Sequence, residues 1–119
     1  LMMAEPSTIS AMLEEALIQF RGRVSVTCSK PYFLEFNPIG ATKGITLSWA
    51  ASYLHLPPSS FLAFGDSLND LSMLQAAGRG VQMSNGREDL RSLCDDLCGS
   101  NQNDGVSAYL DKVFLEALS

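Results

Sequence analysis

Long apolar runs, clusters of basic residues and any histidine beyond His55 are missing from this 119-residue chain, and each absence removes a class of function. No stretch approaches the roughly 20 apolar residues that a membrane-spanning helix needs. Lys and Arg number 8 against 13 Asp and Glu, a net charge of −5 without a basic patch, so neither nucleic acid nor an anionic membrane is an expected partner. Cys28, Cys94 and Cys98 form an odd count with no disulfide framework, which suits a reducing cytosol and a cytoplasmic location. Cys94 and Cys98 lie four apart, but zinc would need two further ligands, so buried thiols are expected. Leu1-Met2-Met3-Ala4 lacks a basic flank and breaks at Glu5-Pro6, so it does not read as a signal peptide. It reads as a strand whose beginning is missing, and the opening Leu points to a truncated product.

The composition itself, 46% apolar and 18% charged, is that of a globular domain. Glu5-Pro6-Ser7-Thr8 opens a helix, and Ile9, Leu13, Leu17 and Phe20 recur at helical spacing until Gly22. Val24, Val26 and Cys28 alternate with Ser25, Thr27 and Ser29, which predicts a half-buried strand. Lys30-Pro31 turns the chain into a second strand over residues 32–36, giving a hairpin. Asn37-Pro38-Ile39-Gly40 is a composition break, dividing residues 1–38 from residues 39–119.

Beyond the break a helix begins near Thr42 with Leu47, Ala50, Ala51 and Leu54 on one face, ending near His55. A strand over 61–65 follows, then a helix from Asn69 to Ala77 with Gly78 as C-cap. Gly80 to Met83 predicts a strand, residues 87–94 a helix, Asp96-Leu97-Cys98 an extended segment, and Asp104 or Gly105 the start of a last helix carrying Val106, Leu110, Val113, Phe114 and Ala117. Alternating helices and strands predict a parallel α/β layer with right-handed crossovers. Trp49 and the methionines are expected to pack in a core or lid.

The stretch Phe61 to Leu74 carries the chemistry. Asp66 ends the strand, and Asn69 and Asp70 begin the helix, which delivers two acids and an amide to the rim where α/β sheets hold ligands. Two carboxylates suit Mg²⁺, whose shell is hard oxygen completed by waters and phosphate oxygens. Lys43 could hold an anionic group at the same rim. The same three polar residues are also ordinary helix caps. Gly65-Asp66-Ser67-Leu68 spells the signature of the GDSL esterases, but His55 lies upstream, so Ser67 has no partner base and no triad assembles.

Lys43-Gly44, Phe64-Gly65-Asp66-Ser67-Leu68-Asn69-Asp70, Met73-Leu74, Ala77-Gly78, Gly80-Val81, Asn85, Asn101 and Asp104-Gly105-Val106 together resemble the C-terminal part of a Cof-type haloacid-dehalogenase-superfamily phosphatase. Leu34-Glu35-Phe36-x-Pro38 is similar to the end of that family's cap. The resemblance implies an α/β fold, the C-terminal part of a Rossmann-like core over 39–119 with the C-terminal part of an α/β cap over 1–38. It implies a Mg²⁺-dependent phosphatase of small phosphorylated metabolites such as sugar phosphates. Lys43 would neutralise the nucleophile and the phosphoryl group. Asp66 would bind Mg²⁺, Asp70 would be a metal ligand or a partner of one, and Asn69 and Asn85 would serve the phosphate or substrate, with Asn101 and Asp104 supporting. Ser84-Asn85-Gly86 departs from the family's Gly-Asn-Ala.

The family's Asp-x-Asp-x-(Thr/Ser), which supplies nucleophile and general acid, is absent, as is the Ser/Thr phosphate motif after it. The chain alone is therefore expected to be inactive and to bind metal weakly. The family's first strand would pair with the strand at 61–65, so an open apolar edge is expected, favouring self-association or a complementary fragment. A non-catalytic fragment or pseudoenzyme acting by binding is the alternative.

Overall fold

Two three-stranded sheets, each backed by helices, make up the chain, and the computed structural model describes all of residues 1–119. The first has the order β1 (Met2–Met3), β3 (Phe33–Asn37), β2 (Ser25–Lys30), antiparallel throughout. Helix α1 (Pro6–Gln19) starts on Pro6, where a missing N–H costs nothing, and lays Ile9, Leu13 and Ala16 on Cys28 and Leu34 of the hairpin. Leu17, expected in that stripe, is turned outward, and Ala16 takes its place because the helix meets the sheet one residue earlier.

The second sheet is parallel, in the order β4 (Leu62–Gly65), β5 (Arg79–Met83), β6 (Asp96–Cys98), as the alternation of helix and strand predicts. Val81, Met83, Cys98 and Tyr109 form its core beneath α4 (Gly105–Leu118). Helix α2 (Lys43–Tyr53) begins at Thr42, whose hydroxyl accepts from the Ile45 N–H, and packs on α3 (Leu71–Ala76).

Several expectations are corrected. The predicted helix over 69–77 divides into a 3₁₀ turn at Leu68–Asp70 and the short α3, and the one at 87–94 is 3₁₀ over Glu88–Leu93. Gly78 does not cap by a left-handed turn. An added Cβ there would lie 1.9 Å from the Ser59 carbonyl oxygen, so its role is close backbone approach. His55 adopts the left-handed conformation instead, at φ 56°, and ends α2 while the Leu56 N–H returns to the Ala51 carbonyl at 2.9 Å. Trp49 is 66% exposed, stacked on Tyr53 outside the core, and Leu54 and Phe114 also face out. Cys28 and Cys98 are buried free thiols as expected, while Cys94 is half-buried.

The molecule is open for its mass. Its accessible surface is 7808 Å², where a folded monomer of this size exposes about 6,300 Å². Its Cα radius of gyration is 15.7 Å, against about 13.5 Å expected for this length. Part of the excess lies along β4, which has β5 on one side and no strand on the other. There Leu47 and Ala50 of α2 and residues 61–64 line an open apolar groove of about 540 Å³.

Candidate functional site

The carboxyl ends of β4, β5 and β6 deliver three loops to one rim, carrying Asp66 to Asp70, Ser84 to Arg87, and Gly99 to Asp104. The first two are clamped together, since the Arg87 N–H donates to the Asp66 carbonyl at 3.0 Å. The second and third are joined by Asn85, whose Oδ1 accepts from the Asn101 N–H at 3.0 Å.

Asp70 is 4% exposed, and both of its oxygens are engaged. Oδ2 accepts from the backbone N–H of Asp66 at 3.0 Å and of Ser67 at 3.1 Å. Oδ1 takes the Lys43 ammonium. Burial by itself pushes this carboxyl up, but the Lys43 hydrogen bond, the two amides and the ammonium charge together outweigh it and hold Asp70 below the ordinary carboxylate range. Lys43 is thereby fixed at the start of α2 with its side chain half exposed. Gly44 lets the helix come this close: a Cβ there would meet the Ser72 carbonyl oxygen at 2.3 Å, and its N–H instead donates to Ser72 Oγ at 3.0 Å.

Asp66 is half-buried, and its Oδ1 lies 3.2 Å from Ser67 Oγ. The same hydroxyl lies 3.2 Å from the Ser29 carbonyl, which joins the site loop to the hairpin. That carbonyl is presented by an irregularity in the β2–β3 ladder between Thr27 and Lys30. His55 is exposed beyond the opposite end of α2, so Ser67 has no base. No group of three His, Cys, Asp or Glu side chains converges anywhere in the chain, and Asp66 Oδ1 already accepts from the Ser67 hydroxyl.

Between the hairpin and the α2–α3 pair lies a cavity of about 420 Å³ lined by Lys43, Asn69 and Ser72 on one wall and hairpin residues on the other. Asn69, one of the lining residues, has a buried Oδ1 without a partner. The structure thus brings Lys43, Asp66, Asn69 and Asp70 into one neighbourhood and keeps Asn85 on the adjoining loop. Sequence reasoning missed Ser29 and Ser72, which act through hydroxyl or carbonyl contacts that no spacing rule marks. It also missed the hairpin wall, whose signal was the alternation of β2 and β3.

The profile of a protein family described as haloacid dehalogenase-like hydrolase matches residues 1–110. Among curated proteins the chain is similar to Phosphatase YwpJ of Bacillus subtilis (strain 168), 40% identical over 84 residues, which is 71% of this chain and 30% of that protein. It is also similar to the 5-amino-6-(5-phospho-D-ribitylamino)uracil phosphatase YitU of the same organism, at 34% identity over 83 residues, 70% of this chain and 31% of that one. A solved haloacid dehalogenase-like hydrolase from B. subtilis superposes with a TM-score of 0.74 at 37% identity, covering 81% of this chain and 34% of the other. The chain spans about a third of the length of these proteins.

Proposed function

This chain belongs to the haloacid dehalogenase-like hydrolases and has their α/β architecture, and from that membership we propose that it is the C-terminal part of a Mg²⁺-dependent phosphatase of small phosphorylated metabolites. One observation carries the reading. A lysine ammonium is fixed by a buried aspartate beside a cavity that mixes polar and apolar side chains, on the carboxyl rim of a parallel sheet. Such an arrangement presents positive charge to a phosphoryl group at little cost in reorganisation.

In this reading Lys43 binds and neutralises the phosphoryl oxygens, and Asn69 hydrogen-bonds the phosphate or the substrate. Asp66 offers its carboxylate to Mg²⁺. Asp70 aims Lys43 and braces the Asp66 backbone, so it serves the metal through the loop. Asn85 braces the neighbouring loops by its Oδ1 and has its amide group free for a phosphate. Mg²⁺ would supply charge neutralisation to the phosphoryl group. The residues present fit one edge of its shell and no more, so affinity in this chain alone is weak. Residues 1–38 are read as part of a cap and 39–119 as part of the core, working in the cytoplasm.

The nucleophile is the missing part, because no Asp-x-Asp occurs in the chain. A strand bearing one would extend the parallel sheet at the open side of β4, above the apolar groove. The same open edge favours a second reading, a non-catalytic chain that self-associates or binds a complementary segment.

The test is turnover of p-nitrophenyl phosphate in Mg²⁺. The chain alone is expected to be silent. Adding in trans a segment that carries an Asp-x-Asp strand restores turnover, and Asp66→Ala abolishes it again. Turnover by the chain alone that survives Asp66→Ala would overturn this assignment, and failure of every complementing segment would favour the non-catalytic reading.

A further inference from the structure

Strand alternation sorts the hairpin into two faces. Val26, Cys28, Leu34 and Phe36 pack toward α1 in the first apolar cluster. Ser25 and Thr27 of β2 stand directly opposite Asn37 and Glu35 of β3, so the four share one face as two cross-strand pairs. All four are half-buried and all line the cavity that Lys43 and Asn69 line from the other side. A polar sheet face in bulk water needs no partner, but this one is partly closed off from water.

Three observations give the cavity a chemical character. Of the three buried side-chain polar atoms in the molecule that lack a partner, two belong to residues lining it, Thr27 Oγ1 and Asn69 Oδ1. Such atoms cost free energy until something hydrogen-bonds to them. Glu35 is the one acid in the lining and Lys43 the one cation. Ser29 Oγ donates to Glu35 Oε1, which steadies the carboxylate and leaves Oε2 without a protein partner. Finally, no aromatic ring lines the space, so nothing there stacks on a planar base.

We propose that Thr27 and Glu35 are the specificity-determining pair of this site, reading the hydroxyl-rich, uncharged part of a phosphate monoester whose phosphoryl group lies at Lys43. The inference rests on the phosphatase reading and adds to it the residues that choose the leaving group. A carboxylate accepts from neighbouring hydroxyls and repels a second anionic group. The Thr27 hydroxyl both donates and accepts. A volume of about 420 Å³ is in the range of small-ligand sites.

Binding tests this without requiring turnover. The intact chain is titrated with glucose 6-phosphate, phenyl phosphate and orthophosphate, followed by calorimetry or NMR. Glucose 6-phosphate is expected to bind about tenfold tighter than the other two, as one or two charge-assisted hydrogen bonds allow. Glu35→Gln and the near-isosteric Thr27→Val each remove most of that advantage and leave orthophosphate binding unchanged, while Thr27→Ser restores it. Lys43→Ala weakens all three probes. Wild-type glucose 6-phosphate affinity in both hairpin variants, or phenyl phosphate binding as tightly as glucose 6-phosphate, overturns the pair while Lys43-dependent orthophosphate binding keeps the phosphatase reading. No binding of any probe by the wild-type chain overturns both.

Discussion

Replacing Asp70 removes the acceptor of two backbone N–H groups and the partner of Lys43 in one step. In Asp70→Ala the amides of Asp66 and Ser67 lose a charged acceptor. Hydrogen bonds to a charged group contribute roughly 1.5–3 kcal/mol each. Lys43 is half exposed, regains water on release, and adds no more than about 1 kcal/mol. With some re-solvation of the amides, the loss is about 3–5 kcal/mol, the range for breaking a buried pair from one side. Asp70→Asn keeps one neutral acceptor oxygen for the amides and should lose only about 1–2 kcal/mol. At roughly 4 °C per kcal/mol for a chain of this length, the melting temperature falls by about 12–20 °C in the alanine variant and about 4–8 °C in the asparagine variant. Circular dichroism against temperature and urea measures both. Because the Asp70 carboxyl is held below its ordinary value by Lys43 and the amides despite its burial, its contribution is complete above about pH 5. It fades as pH falls through the lower folded value, so wild type and Asp70→Asn should converge in acid. Equal stability of all three proteins at pH 7, or a gap that persists unchanged at pH 2, would refute the reasoning.

Three further outcomes follow from the same geometry. Gly78→Ala sets a methyl group against the Ser59 carbonyl and should cost about 3 kcal/mol by urea denaturation, with no change expected if that segment simply shifts. His55→Gly relieves a left-handed non-glycine residue at the end of α2 and should raise the melting temperature by about 2–4 °C, or roughly 0.5–1 kcal/mol. At high concentration the wild-type chain should sediment as a dimer or larger species through the open β4 edge, and Leu47→Glu in the groove should shift it toward monomer; a monodisperse wild-type monomer contradicts this.

Much of the fold was legible because apolar spacing is a direct record of burial. The alternation from Val24 to Phe36 and the run at 61–65 mark the strands, and Pro6 and Thr42 mark helix starts. What stayed hidden depends on distant backbone. Gly78 looks like a helix stop until Ser59 is seen against it, and Trp49 looks like core until the α2–α3 packing turns it outward. At the candidate site, the gathering of Lys43, Asp66, Asn69 and Asp70 into one neighbourhood could be read from their motifs, but the contacts each makes could not. Two acids four residues apart look equivalent in the sequence. Only the inward path of the 3₁₀ turn buries Asp70 as the brace and leaves Asp66 half-buried, with the Ser67 hydroxyl as its one side-chain partner. The wall of Ser25, Thr27, Glu35 and Asn37 was visible as alternation, yet polar residues on a half-buried hairpin look the same whether they face a cavity or open water.

The hydroxyl of Ser67 has one proton and two acceptors at equal distance, the Asp66 carboxylate and the Ser29 carbonyl. It cannot serve both fully. When the proton points at the Asp66 carboxylate the tie to the hairpin loosens, and when it points at the Ser29 carbonyl the tie tightens. By linkage the relation runs both ways, so a hairpin held close draws the proton away from the Asp66 carboxylate. A residue that looked like a nucleophile without a base is instead the hinge-pin between the two sheets, its one proton shared between a carboxylate of the second and a carbonyl of the first.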